Sequence, residues 1–287
     1  MSLIWWRSWR LGRVFILLIL KIPQIGILME TNLGDTFNER YDIRSSKGED
    51  SPAFDSRRNL SNAFLARTIA GIMWRIRTGA PWRDLPKEFG PWQSVYGQFN
   101  RWSAKGLFNF ILEPYAAQAD HEWHMIDATI IRAHQHSAGA RIGEDAAIGR
   151  SVGGLTTKVH MVCDAHGNPI KFSVTEGQRH DSVEAPELLK DTPAEAVLAD
   201  KGYDSEVLRD QLRGDSVTPI IPKKKNAKTP NPDFDSETYR SRHLVENLFA
   251  SMKHFRAFAT RYDKLKRNYE TVVYLVSAVL WGRLFIN

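Results

Sequence analysis

Between residues 123 and 177 the chain carries three short runs, WHMIDATII (123–131), LTTKVHMVCD (155–164) and IKFSVTEG (170–177), rich in β-branched and aromatic side chains. Runs of this length and composition read as strands. Ala165-His166-Gly167-Asn168 supplies a turn between the last two, so an antiparallel meander is the simplest connection. Beyond them helices and strands alternate. Ser182 to Lys190 has helical spacing, EAVLAD (195–200) is a buried strand, Ser205 to Arg213 a helix, SVTPIIP (216–222) a strand and 239–253 a helix. Three strands followed by helix, strand, helix, strand, helix predict a mixed α/β sheet with helices packed on its faces.

The part before residue 122 is built differently. Phe64, Leu65, Ile69, Ile72, Met73 and Ile76 mark an amphipathic helix from Asn62 that Gly79 and Pro81 end. A loop, GAPWRDLPKEFGPW, leads to a second helix, WQSVYGQFNRWSAKG. It points Val95, Phe99 and Trp102 inward and leaves Gln93, Gln98, Asn100, Arg101 and Lys105 outside. Two helices around a compact turn, with basic residues on the second, have the makings of a helix-turn-helix DNA reader. A plain helical hairpin has the same pattern.

The chain has 287 residues, enough for one sizeable core with a smaller partner domain. Its 39 Lys and Arg against 33 Asp and Glu give a formal charge of +6, which suits a polyanionic partner. Cys163 is the only cysteine. An internal disulfide and a Cys-based zinc site are thereby excluded, and a reducing, cytoplasmic setting fits.

At the N-terminus, Arg7, Arg10 and Arg13 precede an apolar run from Val14 to Leu20, as in a signal peptide. The run is too short to span a bilayer, is cut by Lys21 and Pro23, and is followed by no small-residue cleavage site. A peripheral helix or an extension without a role in the fold is expected. Residues 31–61 are polar and read as a linker.

The chemistry centres on three carboxylates. Asp127 lies in an otherwise apolar strand, where a charge is costly unless it is paired or binds a cation. Asp200 closes the run VLAD at the carboxyl end of a strand, where α/β sheets present ligands. Glu246 sits on the helix YRSRHLVENLFASMK (239–253). Leu244, Val245, Leu248, Met252 and Phe255 form its apolar stripe; Tyr239, Arg242, Glu246 and Lys253, at steps of three, four and seven, form a second. If the first strand and VLAD are neighbours and the helix packs across them, the three acids converge. That layout holds two divalent ions roughly 4 Å apart for in-line attack at phosphorus. All-oxygen ligands suit Mg²⁺, with Mn²⁺ substituting. On spacing alone, three unrelated carboxylates with capping and ion-pair duties fit as well.

Among the remaining candidates, His134 and His136 lie in a Gly/Ala-rich loop (134–154) and suggest DNA contact, or no role at all, rather than zinc. His180 and Asp181 support the site from a loop or simply cap a turn. Lys223, Lys224 and Lys225 make phosphate contacts or form a solvated charge run. Ser151, Gly153 and Gly154 lack the lysine spacing of a phosphate loop.

Taken together, the residues resemble DDE-type bacterial insertion-sequence transposases, in particular those of insertion sequence family five. The resemblance runs from Arg58 to Ile286. Its most specific part is the signature of tyrosine, arginine, glutamate and lysine that Tyr239, Arg242, Glu246 and Lys253 match at every gap. RTGAPWRDLP (77–86), MIDATIIRAHQH (125–136), AIGRSVGGLTTKVH (147–160), GQRHD (177–181), LADKGYDS (198–205) and TRYDKL (260–265) support it. Residues 1–57 depart from the family pattern.

The resemblance implies an atypical extension and linker over 1–57, a helical DNA-binding domain over 58–118 and an RNase H-like catalytic domain over 119–287. It makes Asp127, Asp200 and Glu246 the metal-binding triad of a transposase that frees a 3′-hydroxyl at the transposon end and transfers it to target DNA. Arg242 and Lys253 then hold phosphates or balance Glu246, and Tyr239 stacks on a base or sugar or packs on Arg242. The implied partner is double-stranded DNA, terminal inverted repeats and target, bound by a homodimer at the nucleoid, with no membrane partner. A transposition-defective DNA-binding protein of the same fold is the alternative.

Overall fold

The computed structural model describes residues 52–139, 145–191, 193–224, 227, 230–232 and 234–282, with side chains from residue 63 onward. Lys225 and the apolar run at 14–20 lie outside these residues. By internal contacts the chain divides into two compact units, one ending at Ile111 and the other beginning at Leu112. Among the described residues no helix is long and apolar enough to cross a membrane.

The first unit holds α1 (Pro52–Thr78) and α2 (Trp92–Ala104). Leu65, Ile69, Ile72, Met73 and Ile76 are buried along one stripe of α1. Gly79, at φ +66°, ends the helix as its N–H returns to the Arg75 carbonyl at 2.8 Å, a conformation glycine adopts without a Cβ penalty. Two single 3₁₀ turns fill the loop to α2. There the Trp82 ring packs 5.5 Å from Tyr96 and 5.2 Å from Phe99, with the Arg75 guanidinium 5.1 Å from its centre.

Two expectations need correction in this unit. The helix begins at Pro52 rather than Asn62, so 52–61 is helical backbone and not linker; a proline at the first helical position has no N–H to leave unpaired. Gln98 faces inward with Val95, Phe99 and Trp102, tolerated because Arg101 donates a hydrogen bond to its Oε1.

The second unit is built on a mixed sheet. β1 (Trp123–Ala133), β2 (Gly149–Ser151), β3 (Gly154–Cys163) and β4 (Pro169–Glu176) are joined antiparallel, while β5 (Ala196–Leu198), β6 (Thr218–Ile220) and β7 (Thr260–Arg261) run parallel to their partners. The order is β2-β3-β1-β5-β6, with β4 beside β3 and β7 beside β1. An antiparallel β4-β3-β1 meander continued by parallel β5 and β6 is the RNase H-like arrangement, with helices on both faces. The 134–154 segment is more structured than a mobile loop: it carries a 3₁₀ turn at Gln135–Ala138 and β2.

One face is covered by α3 (Asp181–Leu188) and α4 (Glu206–Gly214): Ile126, Val162, Val197 and Ala199 share a core with Ala185, Leu188, Leu208 and Leu212. The other face, with Met125, Asp127 and Met161, lies against α5 (His243–Lys253) and α6 (Lys266–Gly282). Phe172 of β4 meets Tyr274 of α6 edge-on at 4.5 Å, and the Trp281 indole N–H donates to the Pro169 carbonyl at 2.6 Å. The β3–β4 turn abuts the start of α5. At Gly167, φ +80°, a Cβ would lie 3.2 Å from that of Leu244, so both conformation and space favour glycine.

Candidate active site

The two aspartates are brought together by strand register. β1 and β5 pair in parallel as Trp123–Ala196, His124–Val197 and Met125–Leu198. Two residues further along, the same register sets Asp127 beside Asp200 on the face that α5 covers, because alternation gives residues two apart a common side. Val197 and Ala199 point the other way, into the α3–α4 core. A local turn holds Asp200: its Oδ1 accepts the Gly202 N–H at 2.7 Å, and a Cβ at Gly202 would come within 2.8 Å of that oxygen.

Residues 239–253 are not one regular α-helix. Asp235 caps a single turn, Ser236–Tyr239, by accepting from the Glu237 and Thr238 N–H groups; a 3₁₀ turn at Arg240–Arg242 comes next, then α5. The apolar stripe forms as expected: Val245, Leu248, Met252 and Phe255 are buried, with Phe249 added and Leu244 half-buried.

That packing leaves Arg242 facing the sheet. Its Nη1 donates to Asp127 Oδ2 at 3.1 Å, and its Nη2 donates to Glu246 Oε1. Arg242 and Asp127 side chains are only 17% and 21% exposed, whereas Glu246 is 57% exposed. Glu246 therefore points outward but is tied to Asp127 through one guanidinium.

Burial raises the Asp127 carboxyl above its ordinary range; the Ala128 N–H and Arg242 work against this, and the charge of Asp200 adds to it. Burial opposes the charge of Arg242 too, but Asp127, Tyr239 and Glu246 outweigh it and hold the guanidinium above its usual value.

Among the described residues no group of three or more His, Cys, Asp or Glu stands close enough to hold a metal ion. The donor chemistry nevertheless suits one: Asp127 feels the charge of Asp200, and the Arg242 guanidinium links Asp127 to Glu246, so three carboxylates surround a site that already holds one positive charge. Hard oxygen donors of this kind suit Mg²⁺ or Mn²⁺.

The other sequence candidates are spread over the unit and its neighbour. The Tyr239 ring packs on Phe234, with centroids 5.3 Å apart. Lys253 is exposed at the end of α5. Asp181 is the first residue of α3 and accepts from Lys158 Nζ at 3.0 Å, with His160 Nδ1 at 3.5 Å. His180 is exposed, its Nδ1 3.1 Å from Ser182 Oγ. Lys223 pairs with Glu206, while Lys224 donates from its backbone N–H to Asp204 Oδ2 at 2.9 Å and from Nζ to the Asp204 carbonyl at 3.1 Å. Arg101 and Lys105 are exposed at the end of α2.

Sequence reasoning passed over Tyr203. It is buried against the α3–α4 core, and its hydroxyl has no hydrogen-bond partner among the described residues. Burial raises its pKa, and Asp181, Asp127 and Asp200, in that order, raise it further. It thus feels the charge of Asp181 as well as that of the two aspartates. LADKGYDS contained it, but an apolar-looking tyrosine after a turn carries no signal of its own.

The profile of the family described as "Transposase DDE domain" matches residues 121–281, and a profile for transposases of the IS4/5 family matches residues 56–112. Protein y4sN of Sinorhizobium fredii, itself uncharacterized, is 41% identical over 87 residues, which are 30% of this chain and 70% of that one. A protein of Brucella ovis named as a transposase for insertion sequence element IS6501 is 31% identical over 130 residues, 45% of this chain and all of that one. A solved paired-end complex of Mos1 transposase with left transposon end aligns over 78% of this chain and 92% of its own at 10% identity. Its TM-score of 0.24 is too low to compare sites. The DDE profile covers more than half of the chain and spans all three carboxylates, and the chain accordingly belongs to the DDE transposase family and is a DNA transposase.

Proposed function

We propose that Asp127, Asp200 and Glu246 are the catalytic carboxylates of this transposase and hold a divalent cation, Mg²⁺ or in its place Mn²⁺. The reaction consists of two phosphoryl transfers. Water first cleaves one strand at the transposon end and frees a 3′-hydroxyl; that hydroxyl then attacks a phosphorus of target DNA and displaces the 3′-oxygen there. A cation held there would supply positive charge to the phosphate under attack and would lower the pKa of the attacking water.

The observation that carries this reading is the Asp127–Arg242–Glu246 bridge beside Asp200. Arg242 stabilises adjacent carboxylates that would otherwise repel each other. The fork geometry of the Arg242 guanidinium also suits a phosphate oxygen, which it could hold if a bound cation balanced the carboxylates in its place. Lys253, two turns along α5 on the same side as Glu246, extends the cationic surface along a strand. Burial of Val245, Leu248 and Met252 fixes α5 against the sheet, so the reacting groups are positioned by packing rather than by a flexible loop.

The substrate of this reading is double-stranded DNA, the terminal inverted repeats and a target. The unit ending at Ile111 carries Arg101 and Lys105 for DNA contact, as do Lys223 and Lys224 in the catalytic unit. Cutting two ends together calls for a homodimer, and DNA as substrate places the protein at the nucleoid.

The test is strand cleavage of DNA carrying the inverted repeats that flank the reading frame, with Mg²⁺, comparing wild type with Glu246→Gln. Nicking by the wild type and none by the variant, with equal DNA binding, is expected. A wild type that binds this DNA but never nicks it makes the chain a DNA-binding protein that keeps the fold without the chemistry.

A further inference from the structure

Two segments that the site does not use, RAHQHS (132–137) and TRYDKL (260–265), meet at the far end of β1. β7 pairs with β1 in parallel as Arg132–Thr260 and Ala133–Arg261, and the His134 N–H donates to the Arg261 carbonyl at 2.9 Å. This brings three rings together. His134 stacks on Tyr262 with centroids 4.6 Å apart and planes 25° from parallel, and His136 meets His134 edge-on, also at 4.6 Å. The cluster faces outward: Tyr262 is 42% exposed and His136 is exposed.

The support beneath it is densely hydrogen-bonded. Arg261 is wholly buried, and its guanidinium donates to the Asp263 carbonyl at 3.0 Å, the Ala147 carbonyl at 3.1 Å and Thr157 Oγ1 at 2.9 Å. It also reaches the Lys264 carbonyl at 3.3 Å and the Ala146 carbonyl. One buried cation thus ties together the segments around 146, 157 and 263 and fixes the residue next to it, Tyr262. A flat aromatic surface held in place loses little entropy when another ring is laid on it. Arg132 and Lys264, exposed on the two segments that carry the rings, add positive charge.

We propose that the His134–His136–Tyr262 cluster is a stacking platform for an unpaired nucleobase of the DNA on which this enzyme acts. Rings that offer a face, flanked by cations, are how proteins hold single-stranded nucleic acid without reading its sequence. His134 directly follows β1, seven residues on from Asp127, which at strand rise is at most about 23 Å and so up to about seven nucleotides of DNA. The platform would hold a strand separated from its complement some distance from the cut. The inference rests on the chain acting on DNA and adds a site outside the carboxylate cluster.

The test uses the full chain with two fluorescent probes of one sequence: a blunt duplex, and the same duplex extended by a ten-nucleotide single-stranded tail. Tyr262→Ala is expected to weaken binding of the tailed probe about tenfold, the effect of one lost base stack, and to leave the blunt duplex unchanged. Tyr262→Phe keeps the ring and is expected to bind as wild type. Equal losses on both probes, no loss on either, or the same loss with phenylalanine overturn the platform. If Tyr262→Ala does not fold, tails carrying 2-aminopurine read the wild type directly. Quenching at one or two tail positions supports stacking, and uniform fluorescence overturns it. A wild type that binds the blunt duplex but not the tail more tightly removes the platform alone, whereas one that binds neither probe removes the DNA reading as well.

Discussion

Arg242 Nη1 donates to Asp127 Oδ2 at 3.1 Å, joining residues 115 apart in sequence, while the other guanidinium nitrogen bonds Glu246. The same cation serves a strand and a helix. Removing it leaves a largely buried carboxylate next to Asp200 without its partner, which costs about 1–3 kcal/mol. Arg242→Ala is therefore expected to melt several degrees below wild type in the presence of a chelator. Added Mg²⁺ should raise its melting temperature more than that of wild type, because the ion takes over the duty that arginine performed. Equal Mg²⁺ shifts for the two proteins would show that Arg242 and the ion do not share a site.

Asp200→Asn tests the adjacency of the aspartates from the other side. The asparagine keeps an Oδ1 to accept the Gly202 N–H but removes one of two neighbouring negative charges. Without divalent ions the variant should melt no lower than wild type, and stabilisation by Mg²⁺ should be largely lost. Strand cleavage should fall by at least about a hundredfold, since charge stabilisation dominates this chemistry. Undiminished Mg²⁺ stabilisation in the variant would remove Asp200 from the site.

Acid stability is a separate matter, to which two buried histidines contribute. Burial first, and then the neighbouring His121, lowers His124 from its ordinary 6.5 to about 4, against the pull of Asp164 and Asp120. Burial likewise lowers His160 to about 4, with Lys158 and Arg179 on the same side of the balance and Asp181 and Glu184 opposing. Between pH 6.5 and 4 the unfolded chain takes up these protons and the folded one does not. The stabilisation is complete above about pH 6.5 and is lost as pH falls towards 4, on the order of 3 kcal/mol for each histidine. Urea midpoints measured at pH 7, 6, 5 and 4 should decline over this range, and less steeply in His160→Gln. A flat profile would show that both rings are accessible to protons in the folded state.

The Tyr203 hydroxyl is buried without a hydrogen-bond partner among the described residues. Deleting it removes an unsatisfied polar group and opens almost no cavity, so Tyr203→Phe should be neutral or more stable by up to about 1 kcal/mol. A loss of more than that in thermal melts would reveal a partner for the hydroxyl, with the neighbouring carboxylates the first to examine.

Much of this protein is legible in its sequence because periodicity records burial. Alternation and β-branched content mark WHMIDATII and LTTKVHMVCD as strands, and Val245, Leu248 and Met252 mark the buried side of their helix, as the structure has them. Asp127 stands out because a charge inside an apolar run needs a reason. Local rules fail where a residue's surroundings come from distant segments. Gln98 looks like a surface residue by composition and is buried, and the linker ahead of Asn62 continues the first helix back to Pro52.

Pairing is decided later still. Nothing local states that the strand ending at Leu198 lies parallel to the one beginning at Trp123, and only that register sets Asp127 beside Asp200. Nothing local distinguishes Arg242, whose spacing from Glu246 is that of an ordinary ion pair on a helix surface, from a residue that reaches across to the sheet. Nor does Arg261, one basic residue among many, announce that it is wholly buried and binds three separate stretches of chain. The sequence by itself determined which residues are buried in each element and which acids are out of place. The tertiary structure decided which of them meet, because register and helix docking are fixed by the whole core closing at once and not by any segment within it.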